Sequence, residues 1–348
     1  MAYHDSGAST EVALSPDVIA QLRNNTFAVV DDFLPLDLAD QLVSDAEALN
    51  SDGHFKQHYF QFGTTALAKP AVYELDLSAP DDDFLMRDML NSINLESWRY
   101  VIDDIGPAFV KKVDDLEKIF NNTATAMINT PPLSLNVNAR PAIKIQLNKG
   151  GGSFPWHYDN PGMPNQRALT CVVYLNPRWK SGDGGEIVLW PFLSKPTTIP
   201  PIHRRAVLFY SDRVLHRVLP SRARRLCFTI WSQGTNVNLT NDVALSKDVL
   251  QFTSYDEAAV FFARSPLQRV VSRAVYSEEY LHSLLECIAG SREGREEGRS
   301  SEGLSSSDKE KVIQQQHDAS VMSIVSKLRP LIDEFRRRKD SIAHHNNI

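Results

Sequence analysis

The chain has 348 residues, a formal net charge of −6 and 42% hydrophobic residues. That length suits two domains, or one catalytic domain with appendages, and the apolar fraction can build a sizeable core, which excludes wholesale disorder. A mildly acidic chain lacks the basic field that phosphate backbones attract, so nucleic acid is not an expected partner.

No apolar run reaches the roughly 18–20 residues of a bilayer span, and the first residues lack the basic-then-apolar order of a secretory signal, so no membrane partner is expected. Cys171, Cys227 and Cys287 are odd in number and form no CxxC pair. A disulfide framework or cysteine zinc site is therefore not expected, and the default location is cytoplasmic or nuclear.

In chain order, residues 15–50 read as helix, strand, helix. Ser15-Pro16-Asp17 supplies a cap and a first-turn proline, and Val18, Ile19 and Leu22 give an apolar face. Phe27-Ala28-Val29-Val30 is a short β-prone run. Leu34-Pro35-Leu36 opens a second helix, with Leu38, Leu42, Ala46 and Leu49 at helical spacing. Trp98, Val101, Ile102 and Ile105 predict a third helix, continued beyond Pro107 by Phe109, Val113, Leu116 and Phe120. Residues 1–135 thus form an N-terminal helical, mixed support region.

Residues 136–235 change character. Ile143, Ile145 and Leu147 alternate with polar residues, and Leu169–Tyr174, Glu186–Trp190, Ala206–Tyr210 and Arg225–Trp231 follow as strand signals split by Gly and Pro. Short strands with regular turn punctuation imply a β-sandwich or barrel. Residues 236–290 form a helical extension. Residues 291–310 are rich in Ser, Gly, Glu and Arg and read as a disordered linker. Residues 311–348 carry an amphipathic helix whose face, Val321, Ile324, Val325, Leu328 and Phe335, docks on its own protein or takes a partner. Lying behind a coreless linker, residues 291–348 are expected to be dispensable for chemistry.

Three features of the β zone carry chemistry. In Trp156-His157-Tyr158-Asp159-Asn160, strand alternation puts His157 and Asp159 on one side and Tyr158 on the other. An imidazole and a carboxylate side by side can fill two corners of a metal site, although such a triplet on its own also fits a plain surface strand. His216 follows the turn Ser211-Asp212; it is either a packed histidine or the third ligand of a facial two-His, one-carboxylate set, which suits Fe(II) and leaves positions open. Arg225 comes nine residues after His216. On its strand, Leu226, Phe228 and Ile230 form an apolar face, with Arg225, Thr229 and Trp231 opposite. Arginine there can fork onto a carboxylate, and Thr170 and Tyr174, which share a face of their own strand, can add hydroxyl donors. The competing reading is a surface arginine, since Arg222 and Arg224 lie beside it.

These residues resemble the iron- and 2-oxoglutarate-dependent dioxygenases, and within them the prolyl 4-hydroxylase-like branch. The resembling stretch runs from Ala142 to Trp231. It includes His157-Tyr158-Asp159-Asn160-Pro161, Arg167 through Tyr174-Leu175-Asn176, Trp179, Gly184-Gly185-Glu186-Ile187, Phe209-Tyr210-Ser211-Asp212, His216-Arg217-Val218-Leu219-Pro220, and Arg225 with Trp231. Phe27–Leu49 also resembles the beginning of the soluble, oxygen-sensing prolyl hydroxylases.

The resemblance implies an α+β fold with a mainly β core, a double-stranded β-helix or jelly-roll, with packed outer helices and a C-terminal helical tail. It places His157, Asp159 and His216 on the Fe(2+) ligands, Arg225 and Tyr174 on the distal carboxylate of 2-oxoglutarate, and Thr170 beside them. It implies O2 as co-substrate, L-ascorbate as reductant, and a protein side chain, by family weight proline, as the site hydroxylated with release of succinate and CO2. Leu147 and Phe154 stand where the oxygen-sensing enzymes carry tyrosines on the approach to the metal.

Two other readings compete. An inactive jelly-roll module could recruit partners through its outer helices, but it has no need of an intact triad and arginine. A zinc hydrolase could use the same ligands, but it lacks a neighbouring general-base Glu and leaves Arg225 without a role.

Overall fold

The computed structural model describes residues 12, 14–62, 65–78, 95–123, 132–162, 164–235, 251–289 and 306–344. The chain begins with α1 (Pro16–Asn25), β1 (Phe27–Val30) and α2 (Leu36–Ser51). α1 starts at the expected proline, though Ser15 makes no side-chain capping bond. The expected faces of both helices are buried. The stretch that follows contains β2 (Lys56–Phe62) and β3 (Thr65–Asp76), which the sequence reading passed over. After them come α3 (Glu96–Tyr100), a π-helical turn at Val101–Ile105, and α4 (Gly106–Thr123). The π turn explains how the helix runs past Pro107: widening by one residue relieves the ring clash and the missing N–H. The amide of Gly106 closes that turn on the Val101 carbonyl.

Eight strands follow: β4 (Ala142–Asn148), β5 (Phe154–His157), β6 (Arg167–Tyr174), β7 (Ile187–Pro191), β8 (Thr197–Ile199), β9 (Ala206–Tyr210), β10 (Val214–Val218) and β11 (Arg225–Gln233). A seven-stranded sheet has the order β1-β9-β6-β11-β4-β3-β2, and a four-stranded sheet the order β5-β10-β7-β8. All the pairings are antiparallel. This is the double-stranded β-helix. Three strands of the expected support region, β1, β2 and β3, belong to the large sheet, so that region builds the jelly-roll as well as flanking it.

Register decides what each face of the large sheet does. Leu226 pairs with Leu147, Phe228 with Ile145 and Ile230 with Ile143. Directly opposed residues share a face, so these six make one apolar outer surface. Trp98 of α3 meets Phe228 edge-on there, with ring centroids 5.5 Å apart. The other face carries Arg225, Cys227, Thr229 and Trp231, opposite Tyr174, Val172 and Thr170 of β6. It looks onto the small sheet, where Phe209 packs on His216 with centroids 4.5 Å apart.

Leu147 therefore lies on the outer apolar face rather than on the approach to the pocket. The pocket-side residue of β4 at this level is Gln146, whose side-chain oxygen lies 3.7 Å from Cys227 Sγ.

Beyond β11, α5 (Tyr255–Arg264), α6 (Gln268–Val275), α7 (Ser277–Ala289) and α8 (Ser306–His344) cover the outside of the small sheet. Most of the linker expected at 291–310 lies outside the described residues, but residues 306–310 already belong to α8. Ile324, Leu328, Leu331, Ile332 and Phe335 of α8 join one core with Phe262, Val271, Phe192, Trp156 and Leu215. The expected amphipathic face is thus docked on its own chain. α8 bends at Leu328, two residues before Pro330, where the backbone leaves helical geometry.

Candidate active site

His157 closes β5 and His216 sits in the middle of β10, and the two are direct ladder partners. Their ring centroids are 4.2 Å apart. Asp159 lies past the end of β5, so strand alternation is not what aims it. The turn after His157 returns its carboxylate to the pair: Oδ1 is 3.5 Å from His157 Nε2 and 3.6 Å from His216 Nε2. Candidate ligand atoms of the three residues all lie within 4.8 Å of one another.

The surroundings leave these groups able to act as ligands. His157 Nδ1 lies 2.8 Å from the Pro155 carbonyl and His216 Nδ1 3.2 Å from that of Val214. A carbonyl only accepts, so each Nδ1 carries the proton and each Nε2 presents its lone pair inward. Asp159 Oδ2 accepts from Thr170 Oγ1 at 2.8 Å and Trp231 Nε1 at 3.0 Å, which leaves Oδ1 for the centre. Burial opposes charge on Asp159, but His216 and His157 beside it outweigh burial and hold the carboxyl well below its usual range. Desolvation, with His216 adding to it, pushes His157 down to about 4, which keeps the ring neutral and able to ligate near neutral pH. Two imidazoles and one carboxylate are a donor set that suits Fe(II) and leaves coordination positions open.

The second half of the site is the entrance of β11. Arg225 is 1% exposed, whereas Arg222 and Arg224 are exposed. Arg225 Nε donates to the Gly185 carbonyl at 2.8 Å, and Nη1 lies 3.2 Å from Cys227 Sγ. Gly184 and Gly185 make that approach possible. Both have positive φ, and a Cβ on Gly185 would meet Arg225 Cδ at 2.8 Å. The guanidinium stands 5.1 Å from the Tyr174 ring centroid. Tyr174 Oη is buried with no hydrogen-bond partner, and burial pushes its hydroxyl well above the usual range, so it stays protonated. A buried hydroxyl that lacks a partner beside a buried guanidinium is what a carboxylate ligand would satisfy.

Thr170 is placed differently from expectation. Its hydroxyl is engaged by Asp159, and Ser211 Oγ lies 2.8 Å from it. It lies on the Asp159 side of the site, two pleat repeats away from Tyr174 along β6. The sequence reading also missed the bond from Trp231 to Asp159. The signal was present, since Trp231 shares the strand face of Arg225, but its reach depends on where the turn after β5 goes. Also missed was Lys69 of β3, whose Nζ lies 3.7 Å from the centroid of Phe154. Burial pushes this lysine down to about 7.

The sequence model of the 2OG-Fe(II) oxygenase superfamily matches residues 143–233. The prolyl hydroxylase EGLN3 of Mus musculus is 37% identical over 84 residues, covering 23% of this chain and 35% of that protein. Egl nine homolog 1 of Homo sapiens is 26% identical over 218 residues, covering 62% of this chain and 45% of that protein. The matches thus span less than half the length of these curated relatives. A crystal structure of a prolyl 4-hydroxylase from Phytophthora capsici is 32% identical, with TM-score 0.62, covering 95% of this chain and 92% of that one. The fold, the inward-facing His157, Asp159 and His216, and this likeness along nearly the whole chain agree: the chain belongs to the 2OG-Fe(II) oxygenase superfamily, in its prolyl 4-hydroxylase-like branch.

Proposed function

We propose that the protein is an Fe(II)- and 2-oxoglutarate-dependent dioxygenase that hydroxylates a prolyl residue of a protein substrate. The observation that carries this is the pairing, between the two facing sheets, of a metal-ligand triad on the small-sheet side with a buried arginine on the large sheet beside a tyrosine hydroxyl that lacks a partner. Neither an inert scaffold nor a zinc hydrolase gives the Arg225 end of the pocket a purpose.

Bound Fe(II) would supply the O2 chemistry, and 2-oxoglutarate would give two electrons to O2 as it is oxidised to succinate and CO2. The protein's own residues do the rest. His157, Asp159 and His216 would hold the metal. Thr170 and Trp231 orient Asp159 through Oδ2. Arg225 and Tyr174 would bind the far carboxylate of the co-substrate, Arg225 by charge and Tyr174 as a hydrogen-bond donor. Phe209 closes the wall behind His216. The His157 side chain is 34% exposed and that of His216 5%, so substrate approaches on the His157 side, past Phe154 and Lys69.

The test is to supply Fe(II), 2-oxoglutarate, O2 and ascorbate with a panel of proline-containing peptides. We expect succinate to form, ascorbate to sustain it, and one peptide class to gain 16 Da in step with it. Succinate no higher than in an iron-free control would overturn the enzymatic reading. Succinate with the added oxygen on a residue other than proline would overturn the substrate.

A further inference from the structure

We infer that Arg269, with the helical layer behind it, is a positioning residue for Asp159. The inference rests on the reading of His157, Asp159 and His216 as metal ligands. Asp159 lies outside the strand ladder, so sheet hydrogen bonds do not hold it. Its two sequence neighbours are instead clamped by α6. Tyr158 Oη lies 2.8 Å from Ser272 Oγ and 3.4 Å from Gln268 Oε1. Arg269 Nη1 donates to the Asn160 backbone carbonyl at 3.0 Å and to Asn160 Oδ1 at 3.2 Å. Asn160 passes the constraint on: its side-chain amide donates to the Arg167 carbonyl at 2.7 Å, and its backbone amide to that of Ser211 at 2.9 Å.

All the members of this clamp are buried: Asn160, Gln268 and Ser272 are 0% exposed and Arg269 is 6% exposed. In such surroundings each bond is stronger than in water, and a lost partner is costly.

The clamp needs a fixed base. α6 has eight residues, too few to be stable without packing. α8 supplies the packing through Ile332 and Phe335, and Arg336 donates from Nε and Nη2 to the Ala274 carbonyl at 3.0 and 2.8 Å. α8 therefore steadies α6, α6 pins Tyr158 and Asn160, and these fix the Asp159 carboxylate between them. The C-terminal helix is part of the catalytic unit, contrary to the dispensability that its sequence suggests.

The test is equilibrium binding of Co(II), read by its visible absorption, in the full-length protein without co-substrate. Arg269→Met keeps the side chain's bulk and removes its donors. It should weaken Co(II) binding on the order of tenfold, as lost outer partners of metal ligands do. Arg269→Lys should recover part of that loss. Arg338→Ala breaks an ion pair with Asp256 in the same layer, away from Asn160, and should bind as wild type does.

Wild-type affinity in Arg269→Met, or a loss in Arg338→Ala matching that in Arg269→Met, overturns the positioning role while leaving the metal site standing. Failure of the wild type to bind Co(II) overturns the metal reading and this inference with it. If Arg269→Met does not fold, Ser272→Ala, which removes the Tyr158 partner, decides the matter by the same two outcomes.

Discussion

Thr170 and Trp231 face each other across the β6–β11 ladder, and both donate to the same oxygen of Asp159. A single register thus sets the carboxylate's orientation from two strands at once. The same register puts Tyr174 opposite Cys227, beside Arg225. One face of the large sheet therefore carries the two partners of Asp159 at one end and the Arg225–Tyr174 pair, the proposed co-substrate end, at the other.

This separation predicts a split phenotype at Thr170. Thr170→Val keeps the shape and removes one donor to Asp159. Metal affinity should fall by about tenfold, while the apparent KM for 2-oxoglutarate, measured at saturating iron, stays unchanged. A raised KM with normal metal binding would return Thr170 to the co-substrate end.

Arg225→Ala should behave in the opposite way. Leaving the co-substrate carboxylate without its buried partner costs about 3–5 kcal/mol, or roughly two to four powers of ten in 2-oxoglutarate affinity. Co(II) binding should persist. Lysine should rescue only in part, since it lacks the fork. Arg224→Ala, which breaks only an exposed pair with Glu47 at 3.2 Å, should match wild type. Dissociation constants for 2-oxoglutarate across the four proteins check this.

Lys69 predicts a pH dependence of stability. Its folded value is about 7, against an ordinary lysine value of 10.5. Between these values the unfolded chain holds a proton that the folded protein has released. Stability from this group therefore rises with pH from about 7 upward, by at most about 1.4 kcal/mol per unit. Buried thiols and tyrosines act in the opposite sense at higher pH, so the useful window is roughly 7 to 8.5. Denaturant titrations of wild type and Lys69→Met across that window should diverge, with the flatter profile in the variant. Parallel profiles would show that Lys69 keeps its proton when folded.

Phe335 of α8 is fully buried and meets Phe192 and Phe262 edge-on, with centroids 5.4 and 6.0 Å away. Phe335→Ala should cost about 3–5 kcal/mol of stability, read as a lower denaturation midpoint. Deleting residues 306–344 should cost more and weaken Co(II) binding as well. A truncated protein that keeps full stability and metal affinity would show α8 to be an appendage after all.

Local order in the chain was enough to reveal much of this protein. Alternation of Leu226, Phe228 and Ile230 with Arg225 and Trp231 is a property of one strand, so the buried arginine could be separated from Arg222 and Arg224 by parity. The faces of α1, α2 and α8 were legible for the same reason, because helical period is also local. The order of His157, Asp159, His216 and Arg225, with the glycines between, carried the family.

Tertiary structure alone decided the rest. Leu147 faces away from the pocket because β4 pairs with β11 in one register, and a shift of one residue would have reversed it. Asp159 meets His157 through a turn held by Arg269, more than a hundred residues later in the chain. Thr170 bonds Asp159 because that turn folds back over β6. β2 and β3 join the large sheet, and α8 steadies the metal turn from outside. Each of these depends on contacts between segments far apart in sequence, where periodicity within a segment says which face is apolar but not what that face will meet.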